Sequence, residues 1–286
     1  MSRLGSAACL AMSASDTGRE EPITNDNELD DTLYTVTSST FIGEVYALAG
    51  LVNLDAAPAC DSNRRLVAAT MFGVTTPSVE RARDRLQEAG FEVLVFHATG
   101  NGGQAMESLI SEGLISGVLD ITTTELADEL VGGILSAGPD RLRAAGRAGV
   151  PQVISVGATD MVNFGPRRDV PARFADRLFY EHNPTVTLMR TTLEENRSLG
   201  EQIGDRAAAA VGPTTLMLPL EGVSAIDRAG EPFDDPAARE ALIAGIRDHH
   251  APAELIELPH HINDPEFADA AAMRLIELIN SQGEPG

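Results

Sequence analysis

Val93-Leu94-Val95-Phe96-His97-Ala98-Thr99-Gly100-Asn101-Gly102-Gly103-Gln104-Ala105-Met106-Glu107-Ser108-Leu109-Ile110 reads as an apolar strand, a glycine turn and a helix in immediate succession. The glycines let backbone N–H groups approach a ligand closely, and the dipole at the helix start favours negative charge. One unit later Asp120-Ile121-Thr122-Thr123-Thr124-Glu125 crowds hydroxyls and carboxylates at another predicted strand end. Together the two loops outline a small-ligand cleft.

The same alternation extends in both directions. Strands are predicted at Leu66–Met71, Glu92–Phe96, Gly117–Ile121 and Gln152–Val156, with helices at Val79–Ala89, Gln104–Glu112, Leu126–Leu135 and Arg141–Ala148 between them. Gly90, Gly113 and Gly149 each follow a predicted helix end, where a left-handed residue is wanted. After Gly157 the pattern loosens through 160–166 and 179–184, two stretches rich in Asn, Pro and aromatics that read as long functional loops. Regularity returns with a helix at 193–210, a strand at 215–218, a helix at 236–249, a strand at 254–258 and a helix at 265–280. Strands alternating with helices give an α/β fold with an open, mainly parallel Rossmann-like sheet and helices on both faces.

Upstream, residues 1–31 are small, polar and acidic, and are expected to form a disordered tail because they cannot bury enough apolar surface. Residues 32–65 are expected to hold a connecting helix, with Phe41, Val45, Leu48 and Val52 at helical spacing, and a linker; the α/β domain then covers 66–283.

Of the 286 residues, 43 are Asp or Glu and 21 are Arg; there is no lysine, and the net charge is -22. Phosphate neutralisation needs clustered cations, so nucleic acid and anionic membranes are not expected partners. The acidic excess with no Trp fits a halophilic, cytoplasmic protein, the alternative being an acidic partner-binding surface. Absence of lysine excludes lysine Schiff-base chemistry and a standard Walker A loop, leaving any positive clamp to arginine or a bound cation. Only Cys9 and Cys60 occur, so neither a disulfide framework nor a cysteine metal site is expected.

In an open parallel sheet, ligands bind beyond the carboxyl ends of the strands. Four polar loops leave predicted strands there: one with Thr75 and Thr76, one with Thr99, Gly100, Gly102 and Gly103, one with Thr122, Thr123 and Thr124, and one with Asp160, followed by Asn163. These residues are the candidate ligand contacts; simple N-capping is the competing explanation for each loop. His97 at a strand end and Glu125 at a helix start are candidates for acid or base, the alternative for each being a structural role. His260-His261 beside Asp264 invites a metal, but adjacent strand residues face opposite ways and no further ligand is fixed by spacing, so no metal is expected. Ser224 lacks the flanking glycine of a nucleophile elbow, and the Gly-Asn-Gly-Gly turn lacks the third glycine of a dinucleotide fingerprint.

As an ordered set, Met71-Phe72-Gly73-Val74-Thr75-Thr76-Pro77, Val95-Phe96-His97-Ala98-Thr99-Gly100, Leu119–Glu129, Met161–Pro166, Pro219–Ser224 and His261-Ile262-Asn263-Asp264-Pro265 resemble the Tm-one-like ATP-binding family, named after the tomato mosaic virus resistance protein. The resemblance covers Leu66 to Ile279 and implies the second of two α/β domains in series. It also implies that ATP binding belongs to the N-terminal domain, expected to lie outside this chain.

Three functions follow as expectations. The leading one is a C-terminal half that binds a small anionic ligand at the strand ends and associates with a copy of itself or with a separate N-terminal domain. The second is an enzyme on a small oxo or hydroxy acid, using His97 or Glu125 as acid or base and Arg190 as anion clamp. The third is an interaction module alone.

Overall fold

The computed structural model describes residues 65–282 and the two-residue strand Thr35–Val36. The tail of residues 1–31 lies outside the described residues, as does the expected connecting helix except at Thr35–Val36, which is extended rather than helical.

That strand, β1 (Thr35–Val36), is the outermost of a parallel sheet completed by β2 (Leu66–Met71), β3 (Glu92–His97), β4 (Gly117–Thr122), β5 (Gln152–Gly157), β9 (Thr214–Pro219) and β10 (Glu254–Leu258). The strand order is β1-β3-β2-β4-β5-β9-β10. The chain moves outward from β2 to β3, then crosses back to β4 on the other side of β2. The crevice above β2 and β4 is therefore the topological switch point, where doubly wound sheets hold ligands.

Residues alternate between the two faces of the sheet. Val67, Ala69, Val93, Val95, Leu119, Ile121 and Val153 pack under α1 (Thr76–Glu88) and α7 (Pro265–Ser281), which contribute Val79, Leu86, Phe267 and Leu275. On the opposite face, Ala68, Phe96 and Val118 meet Met106 and Ile110 of α2 (Asn101–Ser111) and Ala144 and Ala145 of α4 (Ala144–Ala148). Further along that face, Ile154, Val156, Leu216 and Leu218 pack with Leu199 and Ile203 of α5 (Leu193–Ala208) and Leu242 and Ile246 of α6 (Pro236–His249). The fold is thus an open, mainly parallel α/β sheet covered on both faces.

Two predicted helices are shorter than their apolar pattern. The helix after β4, α3 (Glu125–Val131), ends four residues before the expected Leu135 because Gly132 takes a left-handed φ of +96°. α4 starts at Ala144 instead of Arg141 because Leu142 takes a left-handed φ of +68°.

The stretches at 160–166 and 179–184, read from sequence as loops, contain strands. β6 (Met161–Phe164), β7 (Phe179–Asn183) and β8 (Val186–Arg190) form an antiparallel sheet in the order β6-β8-β7. Turn-forming Asn and Pro dominated the local reading, but β8 supplies paired backbone on both sides: Asn163 lies opposite Leu188, and Tyr180 opposite the same residue. This sheet projects from the carboxyl end of β5 and feeds α5.

Candidate functional site

The glycine turn does hold an anion, and the anion is a side chain of the protein. Glu125, at the first position of α3, places Oε1 2.7 Å from the Gly100 amide and 3.1 Å from the Gly103 amide, both of which donate to it. Gly100 has φ +89°, and a Cβ on Gly103 would stand 2.3 Å from Glu125 Oε2, so this approach needs glycine at both positions. Arg141 Nε donates to Glu125 Oε2 at 2.6 Å, while its two terminal nitrogens clasp Asp120 at 2.5 and 2.7 Å. All three side chains are essentially excluded from solvent.

Desolvation opposes the Arg141 cation, but Asp120 and Glu125 outweigh it and hold its pKa well above the ordinary value. Burial pushes the Glu125 carboxyl up, against the pull of Arg141 and the Gly100 amide. Glu107 completes the arrangement by accepting from the backbone amides of Leu142 at 2.5 Å and Ala144 at 2.7 Å, which fixes the turn carrying Arg141.

At the switch point, the hydroxyls of Thr75 and Thr122 meet at 2.8 Å, tying the loop after β2 to the end of β4. Thr70 donates its hydroxyl to Asp120 at 2.7 Å and accepts from the Thr122 amide at 3.0 Å. Thr123 donates to the Ser155 carbonyl at 3.1 Å. Thr124 accepts from the Asn163 side-chain amide at 3.3 Å, and that amide also donates to Asp128 at 2.6 Å. Thr75, Thr122, Thr123, Thr124 and Asn163 are all buried, and the hydrogen bonds they make join loops to one another, Asn163 Oδ1 having no donor among the described residues. Thr76, Thr99 and His97 are half-buried, and Asn101 is exposed; these form the rim above. Burial lowers the His97 pKa, favouring the neutral ring.

Asp160 lies apart from these groups. Its Oδ2 accepts from the Ser224 hydroxyl at 2.8 Å, and Ser224 Oγ in turn accepts from the amides of Ile226 and Asp227 at 3.2 and 3.1 Å. Desolvation, reinforced by the Asp227 charge, raises the Asp160 pKa to about 7. Arg190, expected as an anion clamp, is 5% exposed and donates to the Phe233 carbonyl at 2.9 Å and to Thr191 Oγ1 at 2.8 Å, beside Asp227 at 3.5 Å. Arg190 and Glu125 therefore spend their polar atoms inside the protein.

His261 is satisfied on both ring nitrogens: the Asn263 amide donates to Nδ1 at 3.1 Å, and Nε2 donates to the Ser224 carbonyl at 2.8 Å, the tautomer those partners require. Among the described residues no group of three or more His, Cys, Asp or Glu side chains could hold a metal ion. No helix among them is long and apolar enough to cross a membrane.

Sequence reasoning singled out the glycine turn and the threonines as ligand contacts, and it did not single out Asp128, Arg141 and Asp227. Asp128 follows Glu125 by one helical turn, which a helix-start reading could have flagged; Arg141 and Asp227 carry no spacing signal.

A family profile described as "Uncharacterised protein family (UPF0261) C-terminal domain" matches residues 64–279. A UPF0261 protein of Clostridium tetani is 49% identical over 247 residues, covering 86% of this chain and 61% of the relative. One from Mesorhizobium japonicum is 49% identical over 229 residues, 79% of this chain and 57% of the relative. The tomato protein "ToMV resistance protein Tm-1(GCR237)" is 46% identical over 215 residues, 74% of this chain and 28% of its own length. The chain spans about three fifths of the length of these bacterial relatives and just over a quarter of the tomato protein.

Proposed function

This chain belongs to the UPF0261 family through its C-terminal domain, and from that premise we propose that it binds a small anionic ligand over the β2/β4 switch point. The observation that carries the reading is the Thr75–Thr122 contact at 2.8 Å, which makes a rigid polar floor where the strand order reverses. Above it stand the half-buried Thr76, His97 and Thr99 and the exposed Asn101, at the start of α2 where the helix dipole favours negative charge. Gly100 and Gly103 support this site indirectly, because their amides are already engaged by Glu125. Calorimetric titration with ATP, other nucleotides and small carboxylic acids tests the reading, with Thr76→Val and His97→Ala as the weakened variants. No heat and no melting shift with any of these ligands would overturn it.

A second reading, pairing with a separate N-terminal domain, is favoured by the outer edge of β3. Among the described residues that edge is paired only at Val95 and Phe96, by Thr35 and Val36. An N-terminal domain of a family member supplied in trans should then co-elute with this chain; two separate peaks at micromolar concentration would count against it.

A further inference from the structure

Arg206, on α5, is 7% exposed, yet among the described residues no carboxylate pairs with it. Among the described residues its Nε and Nη1 are buried without an acceptor, and Nη2 reaches the Gln202 side chain at 3.3 Å and the Pro139 carbonyl at 3.5 Å. Arg143, which pairs with no carboxylate among the described residues, directs its Nε to the same Pro139 carbonyl at 3.5 Å. Two guanidinium groups therefore share one distant carbonyl in a chain that has 43 carboxylates for 21 arginines. The turn that brings Arg143 there is strained at Leu142, with φ +68°.

Burying a cation without a partner is costly, and a second cation beside it adds repulsion. Desolvation, followed by the charges of Arg143 and Arg141, lowers the Arg206 pKa to about 10; Glu107 and Glu129 oppose this. Neither carboxylate neutralises Arg206 by contact: Glu107 is committed to Arg141 and the amides of Leu142 and Ala144, and Glu129 to the Ser136 hydroxyl.

We propose that Arg206 and Arg143 form a binding site for a small oxyanion, phosphate or sulfate in size and charge, between α5 and the 138–143 turn. Such an anion supplies acceptors for the two unpartnered nitrogens of Arg206 and screens the two guanidiniums from each other. This site is separate from the one over β2 and β4, so either can fail without the other.

The test is thermal unfolding and calorimetry of the full chain with inorganic phosphate, sulfate and acetate, each against sodium chloride at matched ionic strength. The expected result is saturable one-to-one binding of phosphate or sulfate with a melting shift of several degrees. The Arg206→Gln variant should lose it, and Arg143→Gln should weaken it about tenfold. Should Arg206→Gln fail to fold, Arg143→Gln carries the test. A shift that never saturates, that chloride reproduces, or that the substituted chain retains in full overturns the proposal.

Discussion

Glu125 and Gly103 fit each other: the carboxylate accepts from the Gly103 amide at 3.1 Å, and a side chain at 103 would strike it at 2.3 Å. Because Arg141 pins the far oxygen of Glu125 at 2.6 Å, the carboxylate cannot step aside.

Gly103→Ala is therefore expected to destabilise the chain by about 1–3 kcal/mol, the usual cost of overpacking a tight interior. Gly102→Ala should cost more, since its Cβ would lie 1.9 Å from the His97 carbonyl oxygen, a backbone atom. Urea unfolding of the two variants checks the order; equal stability to the parent would refute the packing argument.

Arg141→Met removes the cation from a buried cluster and leaves Asp120 and Glu125 uncompensated. Breaking a buried pair in this way costs about 3–5 kcal/mol. Adding Asp120→Asn and Glu125→Gln to Arg141→Met should recover much of the loss, as read by chemical denaturation; no recovery would mean the arginine acts through packing alone.

Acidification from pH 7.5 to 5 should add a stabilising contribution from Asp160. Its folded pKa is raised to about 7 from an ordinary 3.8, so the folded state binds the proton that the unfolded state has released. Stability from this group is fully present below the unfolded value and is lost as pH rises through about 7. Asp160→Asn keeps an acceptor for Ser224 and removes the titration, so its stability-versus-pH curve should be flatter than the parent's over that range. Parallel curves for the two proteins would rule the assignment out.

A net charge of -22 makes self-repulsion a standing cost that salt relieves. The melting temperature is expected to rise by several degrees between 0.05 and 1 M potassium chloride. A fall over that interval, measured by scanning calorimetry, would argue that ion pairs rather than repulsion dominate.

The parallel sheet was legible because its signals are local: short apolar runs, buried at nearly every position in β2, β4 and β5, and Gly90, Gly113 and Gly149 at the ends of βαβ units, all with positive φ. The sheet at 161–190 was not, because Asn163 in a buried strand makes sense only beside Asp128, which receives both its backbone and side-chain N–H groups. The glycine turn was readable as an anion seat. Its occupant was not: Glu125 looks like an ordinary helix-start carboxylate until folding brings it across to Gly100, and Arg141 reaches it across a turn with no periodicity.

The carboxylate in the glycine turn sets a threshold for any outside competitor. A tethered group competes at an effective concentration of about millimolar even on a flexible linker, and the shared grip of Arg141 and two amides raises that figure. A free phosphate or carboxylate at micromolar levels cannot displace it. The fold thus fills the glycine-turn seat with a side chain of its own, and changing ligand at that seat would require first changing residue 125.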